Sequence, residues 1–426
     1  MGLPDKLFLN IQYEAMLYTF VIGIVLFLLR LVALFSNKID HFLSVRKNII
    51  PTIQEKISPS DHVLWFHCAS LGEFEQARPL IVASKKEYPN YKIALTFFSP
   101  SGFEIQKNYP LADVVTYLPL DKTSYLREFL EVLNPDALFL IKYEFWPGLI
   151  KEVKNKNILI FSIASIFRSE QLFFKPFGLF MRNILRKIDF FFVQNQDSQD
   201  LLNSININNS IIIGDTRNDR VLNILNKDNS NDGIERFVNN KDCFVVGSSW
   251  PEDIEILNKV IDSSTNIKTI IAPHNVDEKS LIEIERSFKK PTIRLSRLDE
   301  LKEIGEEILL IDCIGILTQI YSYADIAYVG GGMGNKGLHN ILEPAVFGIP
   351  VFVGKNYKRY QEALDLKSKG GLISVRSAED FKEKFTEISN DKFIQKKMGT
   401  LNSEYIKNQA GATLKIITKL KQVLKH

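Results

Sequence analysis

The feature that most constrains the fold of this chain is a repeated alternation of short apolar runs with stretches that have helical spacing. The runs are rich in β-branched and aromatic residues, and most of their positions are apolar. Strands of this kind lie in parallel sheets covered on both faces by helices. The first half of the chain contains Val63–Ala69, Ile93–Ser99, Val114–Leu120, Ala137–Lys142, Ile158–Ala164, Phe190–Asn195 and Ile211–Asp215; the second half contains Cys243–Ser249, Thr269–His274, Thr292–Ser296, Ile308–Asp312, Ile326–Gly331 and Pro350–Gly354.

The length of 426 residues is large for one core, so we expect two domains of the doubly wound α/β class. The segment Asn223–Asp242 is polar and poor in strand formers, apart from a short helical pattern, and it is the best linker candidate. We therefore predict an N-terminal domain at 46–222 and a C-terminal domain at 223–405, followed by a helix at 406–426. Ligands of such folds bind at the carboxyl ends of the strands. A cleft follows if the two edges face each other.

The composition is that of an ordinary globular protein, with 45% hydrophobic and 24% charged residues. A net charge of +3 does not indicate a nucleic-acid partner, and no arginine-rich or aromatic-basic motif is present. The three cysteines are far apart in apolar runs, which predicts buried free thiols at Cys68, Cys243 and Cys313 in a reducing compartment.

The N-terminal segment differs from the rest of the chain. Met16–Leu29 carries no charge, and the stretch from 11 to 35 is long enough to cross about 30 Å of hydrocarbon. A secretory signal would need a basic cluster and a cleavage site, and an interfacial helix would need a polar face. We predict a single membrane anchor with its stem at 1–45. Lys38, Arg46 and Lys47 follow the anchor, which places the body of the protein on the cytoplasmic side.

A glycine-rich segment joins the last two predicted strands, with the sequence GGGMGNKGLHNILEPAVFG from Gly330 to Gly348. Glycine lets the backbone turn sharply and approach a ligand, and a helix start at His339 would favour a phosphate. A glutamate there can accept hydrogen bonds from a ribose diol. The expected nucleotide contacts are Gly331, Gly332, Met333, Gly334, His339, Asn340 and Glu343. The alternative is a structural turn with a capping asparagine and a surface glutamate.

A second constellation is HCASLGEFEQARPLI, from His67 to Ile81. A strand runs into a short turn containing Ser70 and Gly72, and a helix begins near Glu73. A carboxylate in this position can take a proton from a hydroxyl group. The alternative is a glutamate that only stabilises the helix dipole.

Other polar residues follow predicted strands. Glu144 stands at one strand end and contacts either a substrate or a nearby cation. Arg217 lies between two acids, so a phosphate contact and an internal ion pair are about equally expected. Ser248 and His274 end strands of the second half, although a lone histidine is most often structural.

Several metal and nucleophile motifs are absent: the sequence has no D-x-D, no H-E-x-x-H, no cysteine pair and no G-x-S-x-G. We therefore expect no metal and no cofactor. A leaving phosphate would then be stabilised by backbone N–H groups, a helix dipole and a cation such as Arg217.

Taken in order, these motifs resemble the 3-deoxy-D-manno-octulosonic acid (Kdo) transferases of lipid A assembly, over nearly the whole chain. The matching stretches are HCASLGEFEQARPLI, SPSGFE, YLPLD, EFWPGLI, GDTRNDRV, GSSWPED, GGGMGNKGLHNILEPAVFGIPV and NQAGAT. The resemblance implies a GT-B glycosyltransferase, with two Rossmann-like domains, that moves Kdo from CMP-Kdo with inversion. The implied acceptor is a phosphorylated, acylated diglucosamine, the lipid A precursor, at the inner membrane.

The resemblance also implies roles for residues. Glu73 matches the general base, Asn340 and Glu343 match residues that hold the CMP ribose, and Arg217 stands where the family often has lysine. The chain departs from the family at Ala272-Pro273-His274, where an arginine is usual before the histidine; Lys355, Lys358 or Arg359 are candidates to replace it. Lys142, Asn218 and Leu338 are further departures.

Two other functions remain open on the sequence alone. The same fold could use a UDP-sugar donor, or a degenerate module could bind anionic lipid without catalysis. The presence of Glu73, Asn340 and Glu343 argues against the non-catalytic module.

Overall fold

The computed structural model describes residues 5–300 and 304–424, and only the backbone of residues 5–12. Residues 1–4 of the predicted anchor and stem, and 425–426 of the predicted C-terminal helix, lie outside this range. The chain divides into two compact units, Met1–Asp219 with Gly411–His426, and Arg220–Ala410. The division lies close to the predicted boundary between 222 and 223, and the first unit also includes the end of the chain.

The first unit is built on a seven-stranded parallel sheet. Its strands are β1 (Val63–Cys68), β2 (Lys92–Phe97), β3 (Val114–Tyr117), β4 (Ala137–Ile141), β5 (Leu159–Ser165), β6 (Phe190–Val193) and β7 (Ser210–Ile212). Their order across the sheet is β3-β2-β1-β4-β5-β6-β7. All six positions of β1 are buried, as expected for a strand covered on both faces.

Helices precede and connect these strands, and the last of them, α10, crosses the division between the two units. They are α1 (Asp5–Ala33), α2 (Asn37–Ser44), α3 (Ile49–Lys56), α4 (Leu71–Glu87), α5 (Pro100–Gln106), α6 (Thr123–Leu133), α7 (Pro147–Asn155), α8 (Leu179–Leu185), α9 (Gln196–Ser204) and α10 (Arg217–Leu222), with 3₁₀ turns at Val45–Asn48 and Leu172–Phe174. One core lies between the sheet and α3, α6 and α7, around Trp65 and Phe129. The other includes α4, around Phe66 and Phe139.

The second unit repeats this architecture. Its strands are β8 (Asp242–Ser249), β9 (Ile267–Pro273), β10 (Thr292–Arg294), β11 (Ile308–Leu310), β12 (Ile326–Val329), β13 (Val351–Val353) and β14 (Leu372–Ser374), in the parallel order β10-β11-β9-β8-β12-β13-β14. Its helices are α11 (Asp232–Val238), α12 (Pro251–Ser263), α13 (Glu278–Ser287), α14 (Leu317–Tyr321), α15 (Leu342–Val346), α16 (Gln361–Lys369), α17 (Ala378–Asn390) and α18 (Lys392–Asn408), with a 3₁₀ turn at Leu295–Glu300.

The last helix, α19 (Ala412–Val423), packs on the first unit. Ile416 and Leu420 are buried in the core that includes α4. The carboxylate of Asp219 accepts hydrogen bonds from the backbone N–H groups of Gly411 and Thr413. Because these N–H groups have no partner within the helix, Asp219 acts as its N-terminal cap.

The strand order of each sheet reverses at one point. Beyond the carboxyl ends of the two strands at this point lies a crevice, and ligands of doubly wound folds bind there. In the first sheet it lies between β1 and β4, which pair directly, and in the second between β8 and β12. These positions decide which loops come together at the carboxyl edge of each sheet.

The helix α1 contains a stretch, Tyr13–Ala33, of 21 residues with mean hydropathy 2.4, long and apolar enough to cross a membrane. Most of its described side chains are exposed. Two polar ones contact the first unit: the Tyr18 hydroxyl donates to Asp121 Oδ2 over 2.6 Å, and Arg30 Nη2 donates to the Tyr125 hydroxyl over 2.6 Å.

The predicted α/β class with two doubly wound domains is confirmed, and each predicted strand overlaps an observed one. Four details differ. The predicted linker Asn223–Asp242 belongs to the second unit, where Ile234 and Phe237 of α11 are buried in the core. The strand β14 was not predicted. The helix expected at His339 begins at Leu342, because the Asn340 side chain accepts the Leu342 N–H and so stops the helix there. Cys68 and Cys243 are buried, but Cys313 is exposed because it follows β11 in a loop.

Candidate functional site

Two glutamates approach each other at the crevice of the first sheet. Glu73 lies in the first turn of α4, directly after β1, and Glu144 follows β4. The backbone N–H of Ala69 donates to Glu73 Oε2. Burial, together with the charge of Glu144, raises the pKa of Glu73 to about 7, against the opposing effects of the Ala69 N–H and Lys142. A carboxylate of this pKa can accept a proton near neutral pH.

Glu144 has different surroundings. Burial acts to raise its pKa, but the His67 ring and the Trp146 N–H outweigh burial, and the pKa lies below its ordinary value. Trp146 Nε1 donates to Glu144 Oε2 over 2.7 Å, and His67 Nε2 lies 3.6 Å from the same oxygen. Glu144 is therefore ionised at neutral pH, whereas Glu73 is close to its midpoint.

The turn before Glu73 contains the other predicted contacts of this cluster. Ser70 is the extended residue at which α4 starts. Gly72 is exposed, and a Cβ built there would meet only the Ser70 hydroxyl, at 4.0 Å. Gly72 is therefore not required for steric reasons. Lys142 has a positive φ of 61°, which turns the chain sharply after β4 towards Glu144.

Arg217 forms the internal ion pair that was one of its two predicted roles. Its Nε and Nη2 donate to Asp215 Oδ2 over 2.9 and 2.6 Å, and its backbone N–H donates to Oδ1 over 2.9 Å. Burial opposes ionisation of Asp215, but Arg217 outweighs it and lowers the pKa of the carboxyl group. The phosphate contact stays a prediction.

The glycine-rich segment forms a tight turn at the crevice of the second sheet. Gly331 and Gly337 have φ of +87° and +98°, the left-handed region that favours glycine. A Cβ on Gly331 would overlap the Gly337 carbonyl, and one on Gly332 would lie 2.9 Å from the Gly354 nitrogen. The Asn356 amide donates to the carbonyls of Met333 and Gly334, over 3.2 and 2.8 Å.

Asp253 holds this turn in place and was not among the predicted site residues. Its buried carboxylate accepts the N–H of Trp250 over 2.9 Å, the N–H of Gly331 over 2.8 Å and the hydroxyl of Tyr328 over 2.8 Å. The signal in the sequence was its place three residues after Trp250, where a carboxylate commonly bonds back to the N-cap nitrogen.

An aromatic stack lines the same crevice. The Trp250 and His274 rings stack with centroids 4.2 Å apart, and His274 lies 4.9 Å from His339. Trp250 Nε1 donates to His339 Nε2 over 3.0 Å. Burial, with a smaller contribution from His274, lowers the pKa of His339 to about 4, and burial also lowers that of His274. Both rings are neutral at pH 7, so they do not supply positive charge to a phosphate.

Asn340, which precedes α15, contacts Glu343, which lies in its first turn. The Asn340 side chain accepts the N–H of Leu342 over 3.1 Å and donates to Glu343 Oε1 over 3.1 Å. Arg220 Nη2 lies 3.6 Å from the same oxygen, and the Glu343 side chain is only 13% exposed. Burial raises the pKa of Glu343 against the effect of Arg220. Asn340 therefore binds the N–H of the first residue of α15 without being its N-cap, and Glu343 is not the surface residue of the alternative interpretation.

Apart from Arg217, which pairs with Asp215, the predicted residues fall into two clusters, one in each unit. Ser70, Gly72, Glu73 and Glu144 lie at the crevice of the first sheet. The second cluster comprises Ser248, His274, Gly331, Gly332, Met333, Gly334, His339, Asn340 and Glu343. Ser248 contributes its backbone, with a φ of +53°, where β8 passes the glycine turn.

Comparison with known proteins gives consistent results. Residues 44–220 match the family model described as 3-deoxy-D-manno-octulosonic-acid transferase (kdotransferase). The chain is 28% identical to the 3-deoxy-D-manno-octulosonic acid transferase of Aquifex aeolicus, over 81% of this chain and 90% of that protein. It is also 28% identical to a bifunctional glycosyltransferase/methyltransferase of Fusobacterium nucleatum, over 78% of this chain but only 53% of that longer protein.

Solved structures share the fold. The UDP-GlcNAc 2-epimerase of Neisseria meningitidis has a TM-score of 0.59 at 16% identity, over 85% of this chain and all of that one. MurG of Acinetobacter baumannii has a TM-score of 0.53 at 10% identity, over 85% and 100% of the two chains. At these identities the likeness concerns the fold, which is GT-B-like.

Proposed function

We propose that this chain, a glycosyltransferase of the Kdo transferase family, transfers Kdo from CMP-Kdo to a lipid A precursor at the inner membrane. The acceptor would be a phosphorylated, acylated diglucosamine. The observation that carries the proposal is the carboxylate pair, in which an ionised Glu144 lies beside a Glu73 whose pKa is about 7.

In this mechanism Glu73 is the general base. A sugar hydroxyl of the acceptor loses its proton to Glu73 as its oxygen attacks the anomeric carbon of Kdo. The bond between that carbon and the phosphate oxygen breaks, CMP leaves, and the configuration inverts. Near neutral pH, a base with a pKa of about 7 combines a large ionised fraction with a useful proton affinity.

The second cluster is the proposed donor site. The turn held by Asp253 brings backbone close to a ligand without side chains in the way, and Glu343 is in reach of Asn340 to orient a ribose diol. His274 and His339 are neutral, so positive charge for the phosphate must come from elsewhere. We assign that role to the backbone N–H groups of the turn; the phosphate contact of Arg217, which lies in the first unit, stays a prediction. The reaction proposed needs no metal or cofactor.

The anchor α1 fits a lipid acceptor. A helix that holds the protein at the bilayer keeps the catalytic unit at the surface where an acylated substrate resides. We place the protein in the inner membrane with a single N-terminal pass and both units in the cytoplasm.

The test is incubation of the detergent-solubilised full chain with CMP-Kdo and tetra-acylated diglucosamine bisphosphate, with products identified by mass. We expect the acceptor to gain one or more Kdo residues. Glu73→Gln should abolish transfer. Glu75→Gln, a control at the next glutamate of α4, should retain it. No product from the unaltered protein with a verified acceptor would contradict the proposal.

Donor choice has its own test. CMP should raise the melting temperature of the protein more than UDP at equal concentration, because a ligand stabilises only the state that it binds. A larger shift with UDP would favour a UDP-sugar donor on the same fold.

A further inference from the structure

A row of buried side chains connects the core of the first unit to Glu144. Trp65 Nε1 donates to Thr96 Oγ1 over 2.8 Å, and Thr96 Oγ1 lies 2.9 Å from His67 Nδ1. The pairing of β1 with β2 places His67 directly opposite Thr96. Trp65, Thr96 and His67 are all at most 1% exposed, so water does not compete for these contacts.

The hydrogen bonds of Thr96 and the nearby Glu144 carboxylate together favour one position for the proton on the His67 ring. The indole N–H can only donate, so Thr96 Oγ1 accepts from Trp65. Thr96 can then bond in two ways: its hydroxyl donates to His67 Nδ1 at 2.9 Å, or it accepts from Nδ1–H and donates to the Phe66 carbonyl at 3.4 Å. In a neutral ring the second arrangement turns the Nε2 lone pair towards Glu144 Oε2, 3.6 Å away, so the first is favoured. A neutral imidazole that accepts at Nδ1 carries its proton at Nε2.

That Nε2–H points at the carboxylate pair. Among the described residues it has no hydrogen-bond partner, and Glu144 Oε2 lies 3.6 Å away. A buried donor without a partner is unfavourable, and such contacts often shorten when substrates bind. The dipole of the N–H favours a negative charge on Glu144 even at this distance.

We propose that His67 is a positioning residue for the carboxylate pair: its Nε2–H keeps Glu144 ionised, so that the proton from the acceptor hydroxyl goes to Glu73. The inference rests on the proposed function, in which Glu73 is the base. In the step, the acceptor O–H bond breaks and the proton binds a Glu73 oxygen, while Glu144 keeps its negative charge and His67 takes no part in the proton transfer.

Other groups around the pair are the same in every variant described below. Lys142 faces Glu73 and lowers its pKa, and it also interacts with Asp215. The Cys68 thiol is close to both carboxylates, and the Tyr143 hydroxyl is close to Glu73. The thiol and the phenol are neutral at pH 7 because burial raises the pKa of each. Changes in pH dependence on altering His67 therefore report on Glu144.

Two substitutions separate the two nitrogens of His67. The amide of His67→Gln occupies the position of Nε2 and keeps a donor towards Glu144. The amide of His67→Asn occupies the position of Nδ1, keeps a contact with Thr96 and leaves Glu144 without the donor. Both variants are polar and smaller than histidine, so each controls for the loss of the ring.

The measurement is kcat/KM for transfer as a function of pH. In His67→Asn the first proton should bind Glu144 in place of Glu73. Glu73 then no longer faces a negative neighbour, so its pKa falls and the acid limb should move to lower pH by about one unit. In His67→Gln the limb should stay near that of the unaltered protein. In His67→Asn combined with Glu144→Gln, the limb should match Glu144→Gln alone.

If His67 were only structural, its substitution would lower the rate at every pH without moving the acid limb. An acid limb that stays in place in His67→Asn would therefore overturn the inference. Melting temperatures of the variants establish that they are folded. If His67→Asn does not fold, Thr96→Val, which removes the hydroxyl that helps to place the ring proton, should shift the limb in the same direction; an unshifted limb there would overturn it too. Activity retained by Glu73→Gln would instead contradict the proposed function.

Discussion

At the scale of single residues, Glu73 and Glu144 follow neighbouring strands, yet their surroundings give the two carboxyl groups different proton affinities. Glu144 is contacted by the Trp146 N–H and the His67 ring, which favour its charge, whereas Glu73 is buried beside that charge. Two acidic groups whose pKa values are pushed apart can divide the roles of proton acceptor and fixed charge.

Removing the fixed charge should change the pH dependence of catalysis. In Glu144→Gln, loss of the negative neighbour lowers the pKa of Glu73, so the acid limb of kcat/KM should move down by about one pH unit. A pH series of transfer rates measures this shift. A limb that stays in place would mean that the two carboxylates are not coupled.

The raised pKa of Glu73 also has a consequence for stability. A carboxyl group whose folded pKa exceeds its unfolded value stabilises the fold fully below the unfolded pKa, and this contribution is lost as pH rises through about 7. Glu73→Gln should therefore raise the free energy of unfolding at pH 8 by up to about 3 kcal/mol and change it little at pH 4. Denaturant titrations at the two pH values measure the difference; equal effects at both would contradict the shifted pKa.

The sequence identified the glutamates but not the contacts that tune them. The position of Glu73 after a strand and a short turn was visible in the pattern. The contact of His67 with Thr96 depends on the register between β1 and β2, and the approach of Glu144 depends on β4 pairing with β1. Periodicity along one strand contains no information on either. Asp253 was missed for a similar reason, because its bond to Gly331 joins residues 78 positions apart.

At the scale of elements, the glycine turn is the part whose backbone conformation matters most. The Gly331 N–H is bonded to Asp253, and its φ of +87° favours glycine. A Cβ at this position would overlap the Gly337 carbonyl. The sequence predicted the turn from its glycines. It did not predict β14.

A matched pair of glycine substitutions tests this turn. Gly331→Ala puts a Cβ against the Gly337 carbonyl and should abolish the rise in melting temperature caused by CMP. Gly305→Ala puts a Cβ into open space and should leave that rise unchanged. Thermal unfolding with and without CMP measures both. A normal CMP response in Gly331→Ala would exclude this turn from the donor site.

At the scale of the whole molecule, labelling of the native cysteines tests on which side of the membrane the two units lie. Cys313, in the second unit, is exposed, whereas Cys68 and Cys243 are buried. If both units lie in the cytoplasm, a membrane-impermeant maleimide should label Cys313 in inside-out membrane vesicles but not in intact spheroplasts. Cys313→Ser should be unlabelled in both. Labelling in intact spheroplasts would reverse the topology.

The most direct test of the central claim, that Glu73 is the base for transfer, is the pH dependence of kcat/KM for the unaltered full chain with CMP-Kdo and the acylated diglucosamine acceptor. We expect kcat/KM to fall as the pH drops below a midpoint of about 7, because protonated Glu73 cannot accept the hydroxyl proton. Activity that persists unchanged down to the ordinary pKa range of glutamate, about 4.3, would contradict it.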